Sequence, residues 1–153
     1  MLPSSKNKIL SEKTTSRASS SRMGKRRASW RIANDLPSSF RYAAQGIAYG
    51  FLSQRNFRIH LLIGALVFAF GLHLKLDFNH LAVLVLTVTA VLVLELLNTA
   101  IEAVVDLAIG RRFHPLARIA KDCSAAAVLV ASISSLIIAL LLLLPPLLLQ
   151  LGI

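Results

Sequence analysis

Cysteine is almost absent from this 153-residue chain. The single one, Cys123, excludes an internal disulfide framework and any multi-cysteine metal site. Glycine is sparse and scattered. The seven glycines, at 24, 46, 50, 64, 71, 110 and 152, form neither a Walker A loop nor a G-x-G-x-x-G turn. A nucleotide site here would therefore be of an unrelated kind. Acids are few, 7 Asp and Glu against 17 Lys and Arg, for a formal net charge of +10. The first thirty residues carry positive charge but no apolar run behind it, which argues against a secretory signal.

What the chain has in abundance is hydrocarbon. Hydrophobic residues make up 56% of it and the mean hydropathy is +0.68, too apolar for an ordinary soluble domain. The length suits one domain, and composition divides it in two. Residues 1–36 are basic, rich in serine and without apolar periodicity, which reads as a disordered basic tail. Residues 37–153 read as a membrane domain. Lys25-Arg26-Arg27 beside Trp30 suits anionic lipid headgroups, at ~1 kcal/mol per basic residue near the surface, better than it suits nucleic acid. An organelle transit peptide would share the tail's composition.

Between Ser38 and Gln54, Phe40, Tyr42, Ile47, Tyr49 and Phe51 alternate with Arg41, Gln45 and Ser53. That pattern predicts an amphipathic helix over 38–54 lying in the membrane interface, with Ser38 or Ser39 as its N-cap. Gly46 and Gly50, four apart, offer a surface another helix can approach closely. Three apolar segments follow, over 57–76, 81–109 and 123–145, each long enough to cross a core of ~30 Å. Pro145-Pro146 is expected to end the last, since proline removes a donor and clashes with the preceding turn. The resulting fold is an all-α integral membrane protein: three transmembrane helices behind an interfacial one.

Orientation follows from the basic residues. Of the 17, twelve lie in residues 1–58, and Arg111, Arg112, Arg118 and Lys121 lie between the second and third segments. Only Lys75 occupies the other loop. The positive-inside rule then puts the N-terminus in the cytoplasm and the C-terminus outside.

The second segment is the unusual one. Glu95, Asn98, Glu102 and Asp106 are spaced by 3, 4 and 4 residues, which places them within roughly 80° of arc on one helix face. Measured from Leu81 at 1.5 Å per residue, Glu95 lies about 21 Å along the helix and Asp106 about 37 Å. Glu95 thus sits below the cytoplasmic interface, Glu102 near it and Asp106 at or beyond it. Acids in hydrocarbon are expensive and mark a function. A solvated helix end accounts for Asp106 as well as any function does; it does not account for Glu95. Beyond the ladder comes Arg112-Phe113-His114 and, further on, Lys121-Asp122, a basic stretch at the same interface. Carboxylates suit Mg²⁺, a hard cation preferring oxygen ligands, while Lys and Arg suit phosphates. A deeper carboxylate can take a proton from a hydroxyl presented in the lipid. The residues therefore suggest phosphoryl transfer from a water-soluble donor to a membrane alcohol. A non-catalytic membrane protein, with Glu95 and Glu102 lining an ion or proton path, is the alternative.

E-L-L-N-T-A-I-E-x-x-x-D at 95–106, H-P-L-A-x-x-A-K-D at 114–122, S-A-A-A-V-L at 124–129 and R-N-F-R-I-H at 55–60 together resemble the small prokaryotic diacylglycerol kinase and undecaprenol kinase family. The resemblance covers roughly residues 40 to 145, and R-N-F-R-I-H with the 114–122 motif looks closer to the undecaprenol-using branch. It implies a homotrimer in the bacterial plasma membrane, with active sites shared between subunits, ATP as donor, a membrane lipid as acceptor and Mg²⁺ as cofactor. By position, Glu95 resembles the catalytic base at the lipid hydroxyl and Glu102 the Mg²⁺ ligand at the nucleotide, with Asn98 shaping the site. Lys121, Asp122 and the Arg112-Phe113-His114 segment fall where the family touches ATP. Ser124 falls at a lipid contact, and Tyr42 at a nucleotide contact. One departure stands out. Where many relatives carry a metal-binding glutamate this chain has Gln54, whose amide oxygen can coordinate Mg²⁺ and meet ATP but brings no charge. Asp106 is the acid available to compensate.

Overall fold

A computed structural model describes residues 36–110 and 112–152, so the tail reading, Leu36 apart, lies outside the described residues. All described secondary structure is helical: α1 Leu36–Ser53, α2 Arg55–His73, α3 Phe78–Ile109 and α4 Pro115–Leu151. The chain divides into two units, residues 1–43 and 44–153, with the boundary inside α1. In the first unit the described part is the opening of α1, where the Arg41 guanidinium lies 5.5 Å from the centre of the Tyr42 ring. The helix already runs at Leu36, so Ser38 and Ser39 lie within its first turns and do not cap it.

In the second unit, α2, α3 and α4 are each long and apolar enough to cross a membrane. Their outer faces are leucine and isoleucine, among them Leu62, Leu66, Leu86, Leu136 and Leu141, all exposed. In lipid these side chains need no protein partner, so hydrophobic burial does little to hold the helices together. Close approach does that work instead. A Cβ placed on Gly64 would stand 2.4 Å from Val88 Cγ1, and one on Gly71 3.2 Å from side-chain carbons of Leu76, Leu81 and Leu84. α2 thus lies hard against α3, and α3 packs on α4 as well. Phe57, Leu81, Leu84, Val91, Val128 and Ala139 form the small buried core. Gly50 also bears out its expected role, since a Cβ there would meet Leu96 Cδ2 at 2.7 Å; Gly46 faces open space.

Each junction has a local cause. α1 breaks at Gln54, which is extended (φ −103°, ψ 114°) and starts α2 without a side-chain capping bond. α2 ends three residues before the expected Leu76 in a Schellman turn, with Leu76 N–H donating to Gly71 O and Lys75 N–H to Leu72 O. Lys75 holds the left-handed position (φ 56°) that glycine usually fills. Asp77 then caps α3 by accepting from His80 N at 2.9 Å, which starts that helix three residues before the expected Leu81. That backbone donation, with the His80 ring nearby, holds the Asp77 carboxyl below the usual carboxylate range. Gly110 (φ 61°, ψ −132°) turns the chain out of α3 in a conformation a side chain would strain.

Two expectations for the third span are corrected. α4 begins at Pro115, eight residues before Cys123, because His114 Nδ1 accepts from Leu116 N at 3.2 Å and proline suits the first helical position. Nor do Pro145 and Pro146 end it, for the helix runs on to Leu151. Each proline forfeits one backbone bond, but the helix around them is almost wholly leucine, and spans in membranes tolerate such breaks by local adjustment. At 1.5 Å per residue, the 32 and 37 residues of α3 and α4 give lengths of about 48 and 56 Å. Both exceed a ~30 Å hydrocarbon core, leaving helix to spare for the charged ends.

Candidate active site

The four polar residues of α3 face α2 and α4, and their surroundings change along the helix. Glu95 is 4% exposed, Glu102 is half-buried and Asp106 is exposed. The deepest acid is thus the most enclosed. Glu95 lines a cleft with Asn56 and His60 of α2, Asn98 of α3, and Val128 and Ser132 of α4. His60 Nε2 stands 3.5 Å from Glu95 Oε1.

One to two turns nearer the helix end, a short relay ties α3 to α4. Asn98 Nδ2 donates to Glu102 Oε1 at 3.2 Å, and its own Oδ1 accepts from Ser124 Oγ at 2.6 Å. The Ser124 hydroxyl also has Lys121 O within reach at 2.9 Å. Asn98 is thereby fixed with its amide toward the carboxylate and its oxygen toward the neighbouring helix. This polar join carries no net charge into the lipid beyond the acids themselves.

At the end of α3, Lys121 Nζ meets Asp106 Oδ1 at 2.5 Å, across 15 residues of chain. Arg118 Nε lies 3.5 Å from Asp122 Oδ2, one helical turn on. Together with Arg112, Phe113 and His114 these four line an open cleft. Its cations and its width suit phosphates rather than an apolar guest. The structure thus brings together two groups of expected site residues. Arg112, Phe113, His114, Lys121, Asp122 and Asp106 share the open cleft; Asn98, Glu102 and Ser124 form the join below it, and Glu95 lines the enclosed cleft beside Asn98.

One expected residue of the second unit is not tied to either group. Gln54 is half-buried at the head of α2, and no hydrogen bond from its side chain is found among the described residues. Tyr42 belongs to the first unit, where its described contact is with Arg41. Conversely, His60, Asn56 and Arg118 were not singled out from sequence. In the sequence His60 stands only within R-N-F-R-I-H, with no role of its own. Its contact lies 35 positions away, on a helix that α2 approaches closely at Gly64 and Val88. Arg118 and Asp122 could have been paired from their spacing of four alone.

Among the described residues, no three His, Cys, Asp or Glu side chains cluster as a metal site. A cation held here would take carboxylate oxygen from the chain, with Glu102 the half-buried candidate, and draw its remaining ligands from water or phosphate. That donor set fits Mg²⁺, which dehydrates reluctantly and keeps such ligands.

Comparison with known proteins agrees in extent with this site. The family model for prokaryotic diacylglycerol kinase matches residues 41–143, spanning both clefts. A diacylglycerol kinase of Synechocystis is 52% identical over 109 residues, which is 71% of this chain and 62% of that protein. An undecaprenol kinase of Bacillus subtilis is 41% identical over 100 residues, covering 65% of this chain and 80% of its own. A diacylglycerol kinase of Escherichia coli is 36% identical over 92 residues, 60% and 75% of the two chains. The match therefore spans less than two thirds of the Synechocystis protein.

Proposed function

The chain belongs to the prokaryotic diacylglycerol kinase family, and on that premise we propose that it transfers the γ-phosphate of ATP to the hydroxyl of a membrane lipid. The names of its relatives nominate diacylglycerol and undecaprenol as acceptors. Supporting the reading is the gradient along α3: a buried carboxylate, Glu95, followed by the half-buried Glu102, which Asn98 and Ser124 tie to the helix that carries the phosphate-suited cleft.

Glu95 is the general base. It takes the proton of the lipid hydroxyl as that oxygen attacks the γ-phosphorus, the bond to the bridging oxygen breaks, and ADP departs. An enclosed carboxylate suits this task, because water that would compete as acceptor is kept away. Lys121 and Arg112 neutralise phosphate oxygens, and His114, Phe113 and Asp122 bound the nucleotide. Glu102 is the carboxylate available to Mg²⁺, held in place by the Asn98 amide, with Gln54 offering an uncharged oxygen. When bound, the ion would screen charge on the transferring phosphate.

In this reading Ser124 meets the lipid while ordering Asn98, and Tyr42 meets the nucleotide. α1 lies in the interface, three chains share their sites across subunit boundaries, and the N-terminus faces the cytoplasm at the plasma membrane. The basic tail adds attraction to anionic headgroups. Purified protein supplied with radiolabelled ATP, Mg²⁺ and each alcohol in turn tests the proposal. Labelled lipid phosphate from at least one alcohol is the expected product, and no label in either would sink it.

A further inference from the structure

Glu95 needs something to aim it. A carboxylate at the end of a flexible side chain, in an enclosed cleft, is productive only when one oxygen faces the incoming hydroxyl. On α3, Thr99 donates to the Glu95 backbone carbonyl, and Asn98, which lines the same cleft, already donates to Glu102 and accepts from Ser124. Ser132, across the cleft on α4, donates to Val128 O of its own helix. Asn56 of α2 also lines the cleft, but the side chain in contact with the carboxylate is His60, with Nε2 3.5 Å from Glu95 Oε1 and the two side chains 25% and 5% exposed.

The fold puts this pair together at some cost. Gly64 lies one turn beyond His60, and Val88 two turns before Glu95. A methyl on Gly64 would overlap Val88, so the two helices are in close contact just where the pair forms. A glycine inside a helix is unfavourable unless such an approach uses it.

We infer that His60 is a positioning residue for Glu95, its Nε2–H donating to Oε1 so that the other oxygen faces the lipid hydroxyl. The present 3.5 Å is long for a hydrogen bond, as catalytic contacts often are before substrate tightens them. The inference rests on the kinase reading, in which Glu95 is the base. Around Glu95 the cleft is lined by His60 and Asn56 of α2, Asn98 of α3, and the neutral Val128 and Ser132 of α4.

The test compares His60→Leu and His60→Gln with the wild-type protein in lipid bilayers, with ATP, Mg²⁺ and both alcohols. Removing the donor in His60→Leu should lower kcat about 10- to 100-fold with KM for ATP within about two-fold of wild type. His60→Gln keeps an N–H donor of similar reach and should retain most of kcat. Thermal unfolding in the same bilayers separates lost aim from lost fold. Equal loss in both variants, a change in KM in place of kcat, or an unchanged rate in His60→Leu would each overturn the inference while leaving the kinase reading standing. A wild-type protein that phosphorylates neither alcohol would remove both.

Discussion

The two ends of the acidic face on α3 carry similar chemistry in opposite surroundings. At the deep end Glu95 is enclosed by three helices and approached by one imidazole. At the outer end Asp106 is exposed and paired with a lysine whose side chain is partly open to solvent. The exposed pair is closer, 2.5 Å against 3.5 Å, yet it should matter less to stability. Solvent screens it, and exposed ion pairs are worth ~0–1 kcal/mol. Enclosure, more than distance, sets what a charged contact is worth here.

That contrast can be broken at several points. The largest effect is expected from Glu95→Gln, which removes the proposed base and should lower kcat by ~10²–10⁴ while ATP still binds. A variant as fast as wild type would mean the two ends do not differ in role. Next comes Gly64→Val, which forces α2 away from Val88 and should cost ~1–3 kcal/mol by overpacking. Chemical denaturation would measure it, and Val88→Ala in the same chain should restore part of the loss. If neither stability nor rate moves, the close crossing is not what holds the deep cleft.

At the outer end, Asp106→Asn should change stability by less than ~1 kcal/mol, and that change should shrink further in high salt. A loss that salt does not diminish would place the pair in the enclosed class. Gln54→Glu asks where the metal's charge resides. In the proposed site it should lower the Mg²⁺ concentration for half-maximal rate, and an unchanged value would remove Gln54 from the metal site. The smallest change lies at the far turn, where Lys75→Gly relieves a left-handed lysine and should stabilise by up to ~1 kcal/mol, with activity unaffected.

The helices that carry this contrast were mostly legible in sequence, because runs of apolar residues and the clustering of Lys and Arg are local signals. Ends were less so. His114-Pro115 is a sound helix start, but Arg118, Lys121 and Asp122 made that stretch read as loop. The structure shows one helix from Pro115 to Leu151 that carries these charges in its first turns. Pro145-Pro146 misled in the other direction, since the rule that proline ends helices loses force in a leucine-rich span. Within the site, the spacing from Glu95 to Asp106 was enough to put four polar groups on one face. Which groups would meet them was not. His60 against Glu95, Ser124 against Asn98 and Lys121 against Asp106 all join different helices. Each depends on how the helices cross, and a single glycine opposite Val88 does much to set one of those crossings.

The central claim is that the enclosed carboxylate performs proton abstraction while the exposed end handles phosphate. The most direct measurement follows labelled γ-phosphate in wild-type and Glu95→Gln protein, with lipid alcohol present and nucleotide binding measured alongside. The account predicts transfer by the wild type, its near-complete loss in the variant, and nucleotide affinity within about two-fold between them. Equal transfer by both proteins, or affinity lost together with rate, would contradict it.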